Sequence, residues 1–340
     1  MNLFQLLGLK PDHRNNEKKT TQLVKHYDEV PNSRKKGQRL GLQLKKDGVC
    51  AITVIRDGMA IIFSRTAKKF TNTFAICHHI SSMKLRDGIY LGELTCDTEG
   101  VSLEVLSGIV NPNRVKNLDC NQDRIANNLT MHFYDMVSIE SFIEGASQTK
   151  FQTRYNNLVE RVYGTDIGNP CNNYGRTPPD EVKVINMIPI DADAIDHFLD
   201  IAVKNDEEGV VIIDLDAGWI AGHKGFHKMK KVRGCDYDLL CIGYEEGTGK
   251  YAGKVANLIF NWKGGKTIKC MLGKGWTHQM AEDMFEAAEW HKNHKPNIGI
   301  AQSSPLNQIF QVYALEESSK GKLRLPKVGE QRHDKGEADV

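Results

Sequence analysis

Lys45 stands in the stretch LQLKKDGVCAITV, two residues ahead of Asp47-Gly48 and inside a run that otherwise has the composition of a β-strand. A lysine amine can act as a nucleophile if its backbone is fixed and the amine is neutral when it attacks. Charge in a half-buried strand is costly, so it calls for a chemical reason. Alone, Lys-x-Asp-Gly is a weak pattern, because Asp-Gly is an ordinary turn signal. Other residues strengthen it. Ser64-Arg65 follows some twenty residues later, and LGELTC sets Glu93 inside an apolar run. Tyr134-Asp135 reads as the end of a strand with an aromatic face available for stacking. Glu208 heads the strand-like EGVVII, and HKMK spaces Lys228 and Lys230 at the strand period, so both reach one face. Arg332-His333-Asp334-Lys335 lies near the C-terminus. The same alternation sets Lys45 and Asp47 on one face and Lys46 on the other.

The elements that would position these residues are mostly strands. Residues 40–63 carry two apolar runs joined at Arg56-Asp57-Gly58, a hairpin signal. Residues 88–97, 100–110 and 126–138 read as further strands, and 208–222 as a hairpin. Helical spacing is predicted for 15–29, 146–163 and 191–207, with a Gly/Pro/Asn-rich loop over 164–181. The adjacent His78 and His79 read as a loop or strand-end pair. After Arg233 the texture changes to short strands separated by Gly-rich turns. One helix, THQMAEDMFEAAEWHKNH, and a last strand, IFQVYALEES, complete it. That pattern fits a small Greek-key barrel of the OB type. The expected fold is α+β, with residues 1–232 forming antiparallel sheets and helices and 233–340 the barrel.

Bulk properties narrow the class. The chain has 340 residues, 40% hydrophobic and 26% charged, which suits two soluble domains. No apolar run is long enough to span a membrane, and the N-terminus reads as a short helix, not a signal peptide. The eight cysteines form no CxxC pair, which speaks against a zinc site and for free thiols in a reducing cytoplasm. Net charge is only +2, yet basic clusters recur at 33–39, 64–70, 223–233 and 319–327, suggesting a segregated basic groove or patch.

In their order and spacing the chemical residues match six motifs of the nucleotidyltransferases that form a covalent lysyl–nucleotide. The sequence resembles a small ATP-dependent DNA ligase of the bacteriophage type, from about residue 40 to 335. The resemblance implies an adenylation domain over 1–232 and an OB-fold domain over 233–340 that carries the Arg332–Lys335 motif. It implies Lys45 as the nucleophile that takes AMP from ATP. Lys228 and Lys230 would face the α-phosphate. Glu93 and Glu208 would hold ribose hydroxyls or Mg²⁺, and Tyr134 would stack on adenine. Arg65 would contact ribose or the 5′-phosphate of a nick. Arg332 and Lys335 would close over the β- and γ-phosphates, with 233–235 as a hinge.

The implied partner is nicked duplex DNA, gripped through Arg65, Lys68 and Lys69, with Lys46 as a surface or DNA-facing charge. The barrel surface near Lys263, Lys266, Lys274 and Trp276 is a further candidate. Arg154 resembles an arginine that such ligases carry before the fourth motif. A monomer without a membrane is expected, serving DNA replication, repair or recombination in the cytoplasm (the host's, if phage-encoded). With about forty-four residues ahead of Lys45, no large N-terminal DNA-binding domain is expected. Two departures stand out. Cys50 occupies a position where many ligases have arginine, with Arg39 a candidate substitute, and Gln43 replaces a glutamate two residues before the lysine. The alternatives are an RNA ligase or an mRNA-capping guanylyltransferase, or a non-catalytic OB-type nucleic-acid-binding protein.

Overall fold

Asp57 (φ 52°) and Gly58 (φ 75°) both adopt left-handed backbone, which closes a two-residue hairpin between Val49–Arg56 and Met59–Ser64. The computed structural model describes residues 2–13, 20–98, 100–164, 178–205, 207–232, 234–293, 304–314, 316–317 and 321–340. The chain divides into two compact units, Met1–Val232 and Arg233–Val340.

The strands of the first unit are β1 (Leu23–His26), β2 (Leu40–Lys45), β3 (Val49–Arg56), β4 (Met59–Ser64), β5 (Gly88–Cys96) and β6 (Leu129–Val137). They continue with β7 (Ala146–Ser147), β8 (Val182–Val184), β9 (Met187–Ile190), β10 (Gly209–Asp214), β11 (Trp219–Ile220) and β12 (Lys224–Val232). Its helices are α1 (Leu3–Leu6), α2 (Asn32–Lys35), α3 (Phe74–Ser82), α4 (Leu103–Val110), α5 (Cys120–Asn127), α6 (Ile139–Glu144), α7 (Phe151–Tyr163) and α8 (Ile195–Lys204).

Two five-stranded sheets dominate, in the orders β1-β12-β10-β2-β9 and β4-β3-β5-β6-β8. The second sheet is buried on both faces. Ala51, Tyr90 and Phe133 pack with residues of α3, α4, α5 and α7, while Ile52, Leu91 and Val137 pack with Leu3, Phe4, Phe142 and Trp219. The first sheet buries Leu42, Val210, Ile212 and Met229 against Ile195 and Ala202 of α8. In antiparallel pairs, residues directly opposite share a face. Gln43 pairs with Val211, which pairs with Lys230, and Ile213 pairs with Lys228. This face, carrying Gln43, Lys45, Val211 and Lys228, turns away from α8.

Several expectations are corrected. Residues 100–110 are not a strand. Ser102 caps α4 by accepting from Val105 N, and Leu106, Ile109 and Val110 are buried at helical spacing. The predicted 15–29 helix lies partly outside the described residues; within them, Leu23–His26 is a strand and Tyr27–Glu29 a single 3₁₀ turn. The 208–222 hairpin does not form, because β10 pairs with β12 and β2 while β11 pairs with β7. His78 and His79 lie on α3, not in a loop. Most of the predicted 164–181 loop, together with Arg233 of the expected hinge, lies outside the described residues.

In the second unit β13 (Cys235–Glu246), β14 (Val255–Trp262), β15 (Lys266–Leu272), β16 (Ile309–Ala314) and, after the short β17 (Glu316–Glu317) and β18 (Leu323–Arg324), β19 (Lys327–Gln331) are present. A helix, α9 (His278–Asn293), separates β15 from β16. The strands close into a barrel in the order β13-β14-β15-β19-β16 around Leu239, Leu258, Phe260, Phe310 and Val328. The closing strand is therefore β19, not the IFQVYALEES run. β19 carries one buried apolar residue, Val328, which explains its weak signal. No helix among the described residues is long and apolar enough to cross a membrane.

Candidate active site

β2 delivers Lys45 from its last residue, and the next turn brings the chain against β5. Gly48 makes this approach possible. A Cβ there would lie 2.6 Å from Leu94 O and 2.7 Å from Glu93 Cγ. The glycine of Lys-x-Asp-Gly is thus required by contact with the neighbouring strand and not by a left-handed turn. Asp47 is exposed and lies beyond the strand, so face alternation does not extend to it. Gly209 plays a similar part at the head of β10. Its φ of 148° and a Cβ-to-Lys231 O distance of 2.4 Å admit no side chain, and they set Glu208 beside Lys45, where the two side chains form an ion pair.

One pocket collects side chains from both sheets. Gln43, Lys45, Val211 and Lys228 come from the first sheet, and Cys50, Glu93 and Tyr134 from the second. Arg65, just after β4, lines it too, although its side chain is exposed. Lys46 is expected from the sequence to be a surface or DNA-facing charge. It also lines the pocket and pairs with Glu207. Lys68 and Lys69 are exposed beyond β4. Lys230 shares a strand face with Lys228 but does not line the pocket, nor does Glu208, whose place is fixed by Lys45.

Tyr134 stands at a bulge. Leu91 pairs with Asp135 and Gly92 with Phe133, so Tyr134 is one extra residue on β6. Leu129, Met131 and Phe133 face one core, and after the bulge Met136 faces that same core. Tyr134, next to Phe133, faces away from that core and lines the pocket. Asp135 does not cap a turn, since β6 runs on to Val137. Its carboxylate, 2% exposed, is held by Arg154 through bonds of 2.9 and 3.0 Å. Arg154 also donates to the carbonyls of Thr149 and Ala217.

The electrostatics follow from burial. Loss of solvent pushes the Glu93 carboxyl up to about 7; the Lys45 ammonium opposes this and the Glu208 carboxylate adds to it. Burial pulls Lys228 down to about 8, against the pull of Asp135. Its Nζ lies 3.8 Å from the centre of the Tyr134 ring. Cys50, paired across the sheet with Glu93, is pushed up to about 12 by burial and shares a hydrogen bond with the Tyr134 hydroxyl. The thiol therefore stays neutral and occupies space where a guanidinium would add charge. Arg39 does not substitute for one. It pairs with Asp216 at 3.5 Å on the exposed surface.

Gln43 is buried, and its amide nitrogen donates to Tyr134 O at 3.2 Å and Ile185 O at 3.3 Å. Residues missed in the sequence are Thr21, Gln22, Leu23 and Val24, which line one wall. Their segment is placed by parallel pairing of β1 with β12, some 200 residues away, a relationship with no local signature. Among the described residues no group of three or more His, Cys, Asp or Glu is arranged to hold a metal ion.

In the second unit, Arg332 and Lys335 converge on Asp238 of β13. Arg332 Nη1 donates to both carboxylate oxygens at 3.1 and 2.9 Å, and Lys335 forms an ion pair with the same group. Trp276, a candidate DNA contact, instead packs beside Phe310 and donates to Gly329 O at 2.7 Å. Lys263 pairs with Glu317 at 2.7 Å.

The fold is that of a nucleotidyltransferase domain followed by an OB-like barrel. Residues 21–232 match the family model described as ATP dependent DNA ligase domain, and residues 246–332 that described as DNA ligase OB-like domain. The chain belongs to the ATP-dependent DNA ligase family. It is 32% identical over 105 residues to a probable DNA ligase of Streptomyces griseus subsp. griseus, covering 29% of this chain and 20% of that protein. It is 31% identical over 139 residues to one of Streptomyces coelicolor, covering 37% and 27%. The matched region thus spans about a quarter or less of these relatives. Among solved structures, Pmar-Lig_PreS3 superposes with a TM-score of 0.70 at 20% identity, covering 92% of this chain and 68% of that one. A Lig E DNA ligase gives 0.60 at 16% (92% and 98%), and the ATP-dependent DNA ligase from bacteriophage T7 in complex with ATP gives 0.51 at 15% (93% and 99%). These likenesses are of fold.

Proposed function

We propose that this protein seals nicks in duplex DNA through a lysyl–AMP intermediate on Lys45. The observation that carries the reading is the convergence of Lys45, Glu93, Tyr134 and Lys228 on one pocket between two sheets, in a chain of the ATP-dependent DNA ligase family. Lys45 Nζ would attack the α-phosphorus of ATP; the N–P bond forms as the bond to pyrophosphate breaks. AMP would then pass to the 5′-phosphate of the nick, and the 3′-hydroxyl would displace it as the strand closes. Such transfers need positioning and neutralisation of spreading negative charge more than proton transfer.

Each residue has a part suited to its surroundings. Glu208 holds the Lys45 side chain in place until nucleotide arrives. Lys228, buried and cationic at neutral pH, meets phosphate negative charge. It lies over the Tyr134 ring, which would stack on the base. Glu93 and Glu208 supply hard oxygen donors; burial, with the Glu208 charge adding to it, raises Glu93, and a divalent cation would relieve that penalty. Mg²⁺ held there together with phosphate oxygens would offset charge on the nucleotide. Arg65, Lys68 and Lys69 offer exposed cations for DNA phosphates, a sequence-independent and salt-sensitive contact. Arg332 and Lys335 are assigned to the outgoing pyrophosphate. Both matched family models describe DNA ligases and lend no support to an RNA ligase or a capping enzyme. Incubation with ATP labelled in the α-phosphate should label the wild type and not Lys45→Ala. Label on the variant would sink this nucleophile.

A further inference from the structure

The turn over residues 64–69 displays three exposed cations, Arg65, Lys68 and Lys69, and none of them forms an ion pair among the described residues. Its backbone is strained. Ala67 is buried at a φ of 61°, a left-handed conformation that a residue with a Cβ rarely adopts. Such a conformation persists only where the surroundings fix it. Part of the fixing is internal, since Ser64 N donates to Lys68 O at 2.8 Å and Ala67 N to Ser64 O at 3.0 Å.

The rest comes from a distant stretch of chain. Leu3 N donates to Ala67 O at 2.9 Å, Asn2 bridges Lys68 as an isolated antiparallel pair, and Thr20 Oγ1 donates to Arg65 O. Leu3 and Phe4, 0% and 2% exposed, seat in one cluster with Phe63, Ala67, Phe142 and Trp219. Asn2 and Gln5 form a capping box that closes α1. A helix of 4 residues has no stability of its own, so its packing and cap keep it formed. Neither Asn2 nor Phe4 is among the residues that line the pocket of Lys45.

We infer that segment 2–7 is a positioning element for DNA, with Phe4 as its anchor. It holds turn 64–69 so that Arg65, Lys68 and Lys69 meet the phosphates of a nicked duplex as one pre-set group. A loose turn would have to be ordered on binding, which weakens the complex. The inference rests on the DNA reading of these cations given above, and the test separates the two.

Binding of the full chain to a nicked duplex with a dideoxy 3′-end, which cannot be sealed, would be measured by fluorescence anisotropy beside self-labelling by ATP. Phe4→Ala should weaken DNA binding roughly 10-fold, with less than about a twofold change in KM or kcat for labelling. Phe4→Leu, which refills the seat, should restore binding. In a chain that already carries Lys68→Ala and Lys69→Ala, Phe4→Ala should weaken binding less than about threefold, because its effect runs through those lysines. If Phe4→Ala does not fold, Asn2→Gly, which removes the cap and leaves the core in place, carries the same expectations. Wild-type affinity in the folded variant would overturn the inference. So would an undiminished loss in the chain without the two lysines, or a loss of labelling that matches the loss of DNA binding. If removing Lys68 and Lys69 leaves affinity unchanged, the DNA reading of these cations fails, and the inference with it.

Discussion

The Lys228 ammonium sits 3.8 Å above the centre of the Tyr134 ring, and both belong to the same pocket. A ring carried by a bulged strand of one sheet thus meets a lysine from the edge region of the other. The contact partly replaces the water that Lys228 loses on burial.

That loss has a measurable cost. Lys228 titrates near 8 in the folded chain, against an ordinary 10.5. Between these values the unfolded chain holds a proton that the folded chain lacks. The penalty is therefore complete below pH 8 and fades as pH rises toward 10.5. Lys228→Met should raise stability at pH 7 by about 2 kcal/mol, less than the full shift implies because the ring contact goes too. The gain should shrink by pH 10 in urea titrations, and labelling by ATP should be lost. A gain equal at both pH values would show that burial of the charge is not its source.

Glu93 works in the opposite sense. Its folded value of about 7 lies above the ordinary 4.5. The folded chain keeps a proton the unfolded chain has released, so stability falls as pH rises from 4.5 through 7. Glu93→Gln should match the wild type at pH 4.5 and exceed it by about 2 kcal/mol at pH 8. Chemical denaturation at the two pH values decides the matter, and a pH-independent difference would contradict it.

The Asp135–Arg154 pair is buried at 2% and 4% exposure and bonded on both carboxylate oxygens. Breaking it from either side strands a charge. Arg154→Met should cost about 3–5 kcal/mol, and Asp135→Asn a similar amount. The double variant should cost clearly less than the sum, read by a double-mutant cycle in urea. Additivity would mean the two residues act separately.

Asp238 anchors the C-terminal segment of the second unit through Arg332, Lys335 and the bond from Asp339 N at 2.8 Å. Asp238→Ala should leave two cations without their shared carboxylate. Amides of 332–340 should then exchange with solvent at least several-fold faster, while the barrel strands stay protected. Unchanged exchange at the terminus would remove this anchor from the account.

The motif residues were legible because their types are chemically costly where they stand. A glutamate within LGELTC and paired lysines in a strand have few bland explanations. The hairpin at Asp57-Gly58 was legible from its turn residues, and the C-terminal barrel from the change in texture. What could not be read was non-local. The Gln22 wall depends on a parallel partner far along the chain. Residues 103–110 look strand-like in composition, yet the Ser102 cap selects a helix. Alternation placed Lys228 and Lys230 on one face, but nothing in that spacing says that only the first reaches the pocket. Phe133 and Tyr134 could not be told apart by phase, since one added residue resets the count.

That added residue has a further consequence. β6 is read in two frames, one before Tyr134 and one after it. Removing that one residue would merge the frames into a regular strand, with Phe133, Asp135 and Met136 keeping their faces and the ring lost, whereas adding or removing a residue elsewhere in β6 would turn one flank over to the opposite face of the sheet. The ring therefore cannot drift along the strand by small insertions or deletions. The pocket and the two cores share a single point of punctuation, and sequence change at this point is all-or-none.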